Sequence, residues 1–197
     1  MPLASREITR ADILPMADYG KVRKERRAQL LPVKRLRRIA VGPFATFYFE
    51  NYDSMWLQVH EMLFIEKGGE AQIDDELRAY NPLIPKGDEL VATLMLEIED
   101  PVRRDRELSG LGGIEATISL NFAGETVPAI PETDVERTKA DGKTSSVHFL
   151  HFRFTPTAIA KFRQPGTEVL LAIAHPNYGH MARLSEATRA ALAADFA

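Results

Sequence analysis

Segments with strand patterns occur in adjacent pairs along this chain, and the helical segments are grouped between the pairs. SSVHFLHFRFT at 145–155 has the strongest strand pattern, and TEVLLAIAH at 167–175 is another apolar strand. IAVG and ATFYFEN at 39–51 predict a strand pair or one strand broken by a bulge, and IEATISLNFAGETVPAI predicts a hairpin that turns at 123–125. This order favours an α+β fold with a largely antiparallel sheet over a doubly wound parallel one.

Two helices form a predicted insertion between the strands. MWLQVHEMLFIE at 55–66 is apolar nearly all round, which is typical of a buried helix, and AQIDDELRAY at 71–80 follows it. ELVATLMLEIE at 89–99 alternates in part, which favours a mostly buried strand over a helix, and PETDVERTKADGKTSS at 131–146 predicts a mobile loop. Further helices are predicted within PVRRDRELSGLGG at 101–113, which begins with proline and ends in glycines, at 156–164 and, as a C-terminal helix, at 184–196. At 197 residues, a single domain is expected.

Basic side chains are concentrated in residues 21–38, which we call the basic segment. It contains nine basic side chains and one acidic one, whereas the rest of the chain has 16 basic and 27 acidic side chains. We predict a basic helical N-terminal arm at 1–38, interrupted or ended near Pro32, before an α+β domain at 39–197. The arm either pairs with acidic groups of the same protein or binds an anionic partner through Lys21, Arg23, Lys24, Arg26, Arg27, Lys34, Arg35, Arg37 and Arg38.

Cysteine is absent from the chain. This excludes disulfide bonds, thiolate nucleophiles and iron–sulfur clusters ligated by the chain's own cysteines. No apolar run approaches the roughly 18 residues of a membrane-spanning helix, and the first twenty residues lack a signal-peptide pattern. A cytoplasmic location is therefore expected.

The histidines are the candidate metal ligands, because neutral imidazole binds metals and titrates near neutrality. His148 and His151 are three residues apart in a predicted strand, so they point to opposite faces and cannot share one site. If strands 145–154 and 167–174 are antiparallel neighbours, His148 lies close to His175. The predicted metal site, for iron, manganese or zinc, consists of His60, Glu61, Glu66, His148, His175 and His180, with Tyr178 nearby; the alternative for these groups is an ordinary structural role.

Several blocks of the sequence are distinctive in combination: RRIAVGPFATFYFEN, VHEMLFIE, ELRAYNPLIP, SSVHFLHF and AHPNY. In these blocks the chain resembles a bacterial family known as a domain of unknown function. The resemblance covers about residues 8–182. It implies a genomic context beside a rubrerythrin-like protein and an iron–sulfur oxidoreductase, and hence a link to peroxide defence or iron-dependent redox metabolism.

Three functions are compatible with these observations. The leading hypothesis is an accessory protein of a bacterial iron and redox system, which binds a rubrerythrin-like or iron–sulfur oxidoreductase partner through the basic segment or a sheet edge. The second is a metalloenzyme with the histidine and carboxylate ligands above and a carboxylate as general base. The third is a nucleic-acid-binding regulator that uses the basic segment. A homodimer is compatible with all three.

Overall fold

The computed structural model describes residues 6–132 and 142–197. Eight strands form one antiparallel sheet in the order β1-β2-β3-β6-β5-β4-β7-β8. The strands are β1 (Arg38–Val41), β2 (Ala45–Phe49), β3 (Glu89–Leu96), β4 (Ile118–Phe122), β5 (Glu125–Pro131), β6 (Val147–Arg153), β7 (Val169–His175) and β8 (Tyr178–Arg183). The predicted α+β fold with an antiparallel sheet is confirmed.

The described residues form six α-helices, most of which start at a side chain that accepts a hydrogen bond from a free backbone N–H. Asn51, Asp100, Thr155 and Ser185 each accept such a bond from the residue three positions later. The helices are α1 (Met16–Leu36), α2 (Tyr52–Glu66), α3 (Glu70–Tyr80), α4 (Pro101–Ser109), α5 (Pro156–Arg163) and α6 (Glu186–Ala193). None of these helices is long and apolar enough to span a membrane.

The sheet curls until its two end strands, β1 and β8, lie against each other. The hydroxyl of Tyr178 at the start of β8 connects them. It donates to the carbonyl oxygen of Val41 at 2.8 Å and accepts from the backbone N–H groups of Phe44 and Ala45 at 3.1 and 3.0 Å. The result is a nearly closed barrel that is joined at this point by a side chain.

Two apolar cores lie on opposite faces of the sheet. The first fills the barrel with alternate residues of the strands, such as Leu94 and Leu150, and is also lined by Phe162 of α5. The second lies between the outer face of the sheet, at Val91 and Phe149, and the helices α1 to α3. This second core positions helices α1 to α3 on β3 and β6.

Two predictions about the elements were wrong. The basic helix does not end near Pro32, because α1 continues to Leu36 with the proline inside it. The turn-forming residues of HPNYGH at 175–180 predict a loop at the end of the strand at 167–175, whereas residues 178–183 form β8, which pairs with β7 through a tight turn. The loop predicted at 131–146 lies partly outside the described residues, which omit 133–141. The division at residue 38 stays a prediction, although α1 packs against α2 through the second core.

Candidate functional site

A pocket of about 410 Å³ lies between the outer face of the sheet and helices α1 and α2, and we call it the helix–sheet pocket. This volume lies within the range of about 300 to 1,000 Å³ that is usual for small-molecule sites. Its apolar lining includes Leu30, Val33, Met55, Leu83, Met95 and Phe149, and its polar lining includes Lys34, Arg37, Tyr48, Glu50, Ser54 and Thr93.

Glu50 is the polar centre of the helix–sheet pocket. It is the residue that directly follows β2, and only 9% of it is exposed. Its carboxylate accepts hydrogen bonds from the hydroxyls of Ser54 at 2.6 Å and Thr93 at 2.8 Å. Ser54 belongs to the first turn of α2, where it also completes a capping box with Asn51. The turn from β2 into α2 therefore fixes this carboxylate in the wall of the pocket.

Arg37 lies next to Glu50 but does not neutralise it. Its guanidinium forms a buried ion pair with Asp195. Its remaining donors reach the backbone carbonyl oxygens of Phe49 at 2.9 Å, Glu50 at 2.8 Å and Ala191 at 3.2 Å. Burial raises the pKa of Asp195, and the charge of Arg37 opposes this shift. Within residues 6–132 and 142–197, the Glu50 carboxylate forms no ion pair.

A second polar cluster continues from the pocket onto the outer face of β1, β2 and β3. Glu97 accepts hydrogen bonds from the hydroxyls of Tyr48 at 2.6 Å and Thr46 at 2.8 Å, and it contacts Arg38 at 3.3 Å. The bond from Tyr48 is the main reason that the pKa of Glu97 is lowered. This cluster holds the hydroxyl of Tyr48, which is one of the residues that line the pocket.

The structure gives His60, Glu61 and Glu66 separate environments. The Nδ1–H of buried His60 donates to the carbonyl oxygen of Trp56 at 2.7 Å, and its Nε2 accepts from the N–H of Leu14 at 3.0 Å. Burial lowers the pKa of His60, in agreement with a neutral ring. The helical spacing of Glu66 relative to Met55 and Val59 predicts a position on the apolar face of the helix, and this is wrong, because Glu66 is exposed and accepts a hydrogen bond from Gln72.

Glu61 belongs to an ion-pair cluster between α1 and α2. Arg23 donates to both of its carboxylate oxygens, at 2.8 and 2.7 Å, Arg27 lies 3.3 Å away, and the Tyr19 hydroxyl donates at 2.6 Å. The hydrogen bonds from Arg23 are the main reason that the pKa of Glu61 falls to about 2. Glu61 therefore holds α1 against α2.

The strands that carry His148 and His175 are not neighbours, because β5 and β4 lie between β6 and β7. The assumed pairing was wrong, yet both side chains reach the segment between α4 and β4. His175 donates from Nε2 to Gly112 at 3.3 Å, and Nδ1 of His148 lies 3.8 Å from Glu115. His180 is exposed on β8 and packs against Tyr178.

In the part of the chain that the structure describes, no group of three His, Asp or Glu side chains is placed to hold one metal ion. His60 and Glu61 lie in the helical layer, whereas His148, His175 and His180 lie on strands of the sheet. The predicted site is therefore not assembled as one cluster by the described residues.

His151, which faces outward on β6, contacts two carboxylates. Its Nδ1 lies 3.0 Å from Glu89 and its Nε2 lies 3.2 Å from Glu132. Both ring nitrogens thus donate, which requires the imidazolium form. The hydrogen bond to Glu132 and then the one to Glu89 raise the pKa of His151 to about 9.

Comparisons with known proteins identify the family. A family model described as "Protein of unknown function (DUF3501)" matches residues 7–196. The chain belongs to the DUF3501 family. A crystal structure described as a novel protein of unknown function from Burkholderia pseudomallei is similar to this DUF3501 protein, with 37% identity and a TM-score of 0.89. The match covers 96% of this chain and 99% of that one. None of the curated proteins matches.

The basic segment of the DUF3501 protein is partly neutralised within the protein itself. Arg23 and Arg27 pair with Glu61, Arg37 pairs with Asp195, Arg38 with Glu97 and Lys21 with Asp18. Four exposed cations have no ion pair among the described residues: Lys24, Arg26, Lys34 and Arg35. The guanidinium of Arg26 lies 5.5 Å from the ring of Trp56. Partner binding through this segment stays a prediction, as does the nucleic-acid alternative.

Sequence reasoning missed the residues at the centre of the helix–sheet pocket. Asn51 and Ser54 are residue types that favour turns and helix starts, so the sequence indicates where the helix begins, but it does not single out Glu50. One signal was present: an acidic residue stands between the apolar strand ATFYF and a helix that is apolar nearly all round. A carboxylate in such a position has to find partners or remain near water.

Proposed function

We propose that this DUF3501 protein is a small-molecule-binding protein and that the helix–sheet pocket is its site. The observation that carries the proposal is a cavity of about 410 Å³ with mostly apolar walls and a fixed carboxylate in one wall. Ligand sites commonly combine an apolar lining with a few polar groups that orient the ligand. The walls bury an apolar body, and the polar groups fix its orientation.

The packing of the surrounding elements supports a pocket that exists before a ligand binds. Capping and the ion pairs of Glu61 fix α2 against α1, and Arg37 connects the end of α1 to the last residue of β2 and to Glu50, which follows it. A pre-formed site avoids most of the entropic cost of ordering its walls when a ligand binds.

Methionine methyl groups provide a direct test of the proposal. Met55 and Met95 line the pocket, whereas Met62 and Met181 do not. With methyl-labelled methionine, we expect at least one of 1-heptanol, heptylamine and heptanoate to shift the NMR signals of Met55 and Met95 in a saturable way. The signals of Met62 and Met181 should remain in place.

A pocket-filling variant makes this test specific. Val147 lines the pocket, and Val147→Trp should weaken binding of the probe at least about tenfold by occupying the space. The matched control is Ile130→Trp, which places the same ring on an exposed position of β5. The proposal is wrong if no probe moves the two pocket methionines selectively, or if both variants bind as the wild type does.

A further inference from the structure

We infer that the ligand of the helix–sheet pocket carries a protonated amine or a similar organic cation beside an apolar body. The inference rests on the proposed function and specifies the chemistry of the ligand. Its starting point is Glu50, an almost fully buried carboxylate in the pocket wall.

Only neutral groups hydrogen bond to the Glu50 carboxylate in the described structure. The hydroxyls of Ser54 and Thr93 supply one bond to each oxygen. An ionised carboxylate has about four acceptor positions, so each oxygen can accept a further donor. Because a buried charge is costly unless it is paired, a cation that enters the pocket gains a strong charge-assisted hydrogen bond there.

The two neighbouring basic residues do not supply this cation. Arg37 directs its donors to Asp195 and to backbone carbonyl oxygens, including the carbonyl of Glu50 itself. Lys34 lines the pocket but is exposed, and among the described side chains it forms no ion pair. The counter-charge for Glu50 is therefore left to a ligand.

The other side chains of the pocket suit a cation with an apolar substituent. Tyr48, Tyr80 and Phe149 are among the lining residues, and aromatic rings attract cations within about 6 Å of their faces. Leu30, Val33 and Met95 offer apolar surface for the remainder of the molecule. An anionic ligand is disfavoured, because its negative charge would lie against the carboxylate of Glu50.

The heptyl series tests this charge preference, because its members share one apolar body. Binding constants are measured from the Met55 and Met95 methyl signals at pH 7. We expect heptylamine to bind at least about tenfold more tightly than 1-heptanol, and heptanoate to bind most weakly. This comparison uses the wild-type protein alone, so it does not depend on the folding of a variant.

Glu50→Gln then assigns the preference to this side chain. The amide keeps the shape of the carboxyl group, and the heptylamine affinity should fall to within about twofold of that for 1-heptanol. Glu168→Gln, at an exposed carboxylate outside the pocket, should keep the wild-type preference. Equal binding of the three probes, tighter heptanoate binding, or an unchanged preference in Glu50→Gln overturns the inference and leaves the proposed function standing. If none of the probes binds, both proposals fail.

Discussion

His60 and His151 have opposite charge states for reasons that lie in their immediate surroundings. His60 has one backbone donor and one backbone acceptor as partners, and burial lowers its pKa. His151 has a carboxylate at each ring nitrogen, and these raise its pKa to about 9. The sequence places each of them on a helix or strand, but the partners of His151 are 62 and 19 residues away, so its charge could not be predicted.

The raised pKa of His151 predicts a pH-dependent stability. The stabilisation should be fully present below pH 6.5 and should be lost as the pH rises through about 9, because the unfolded chain releases the proton first. We expect the free energy of unfolding of the wild type, relative to His151→Gln, to fall by roughly 1 to 3 kcal/mol between pH 6 and pH 9.5. Urea unfolding of the wild type and of His151→Gln at both pH values measures this change. The prediction is contradicted if the two proteins differ in stability by the same amount at pH 6 and at pH 9.5.

Glu50 shows the same limit of sequence reasoning at the candidate site. Its partner Ser54 is four residues away in a recognisable helix start, but Thr93 is 43 residues away on β3. The alternation of β3 predicts that Thr93 shares a face with Val91. It does not predict that this face contacts the start of α2, because that depends on how the helical layer packs on the sheet.

Whole elements were predicted where their pattern is strong and missed where local signals conflict with packing. The hairpin turn at Ala123 and Gly124 agrees with the prediction, and both residues have positive φ, as a two-residue turn requires. Pro32 removes one backbone donor from α1, but Leu30 and Val33 on either side of it pack in the second core, and the helix continues. β8 begins among turn-forming residues, and it is held in place by its pairing with β7 and by Tyr178.

Tyr178→Phe tests how much the connection between β1 and β8 stabilises the barrel. The substitution leaves the N–H groups of Phe44 and Ala45 without their acceptor, so we expect a loss of roughly 1 to 3 kcal/mol in the free energy of unfolding. Amide exchange at these two residues should become faster. Tyr80→Phe is the control, because among the described residues the Tyr80 hydroxyl accepts only a long 3.4 Å hydrogen bond, from Gln58. An unchanged rate of amide hydrogen exchange at Phe44 and Ala45 would contradict the prediction.

Across the whole molecule, the Arg37–Asp195 ion pair connects the end of α1 to the residues that follow α6. Both side chains are more than nine-tenths buried, and removal of one partner leaves an uncompensated charge. We expect Asp195→Ala to lower the free energy of unfolding by about 3 to 5 kcal/mol. Asp75→Ala, which removes an exposed partner of Arg78, should have little effect in the same chemical denaturation experiment. A similar small effect for both variants would contradict this role of the pair.

The Arg37–Asp195 pair can form only late in synthesis, because the two residues are far apart in the chain. The ribosome adds Asp195 158 residues after Arg37, which at usual translation rates corresponds to roughly 10 to 30 s. During that interval the guanidinium has no carboxylate at its final position, and β1 has no β8 to close against. The growing chain therefore presents an open sheet edge at β1 until β8 has been added, and an unpaired arginine until Asp195 has been added, and in this period chaperones have access to that edge.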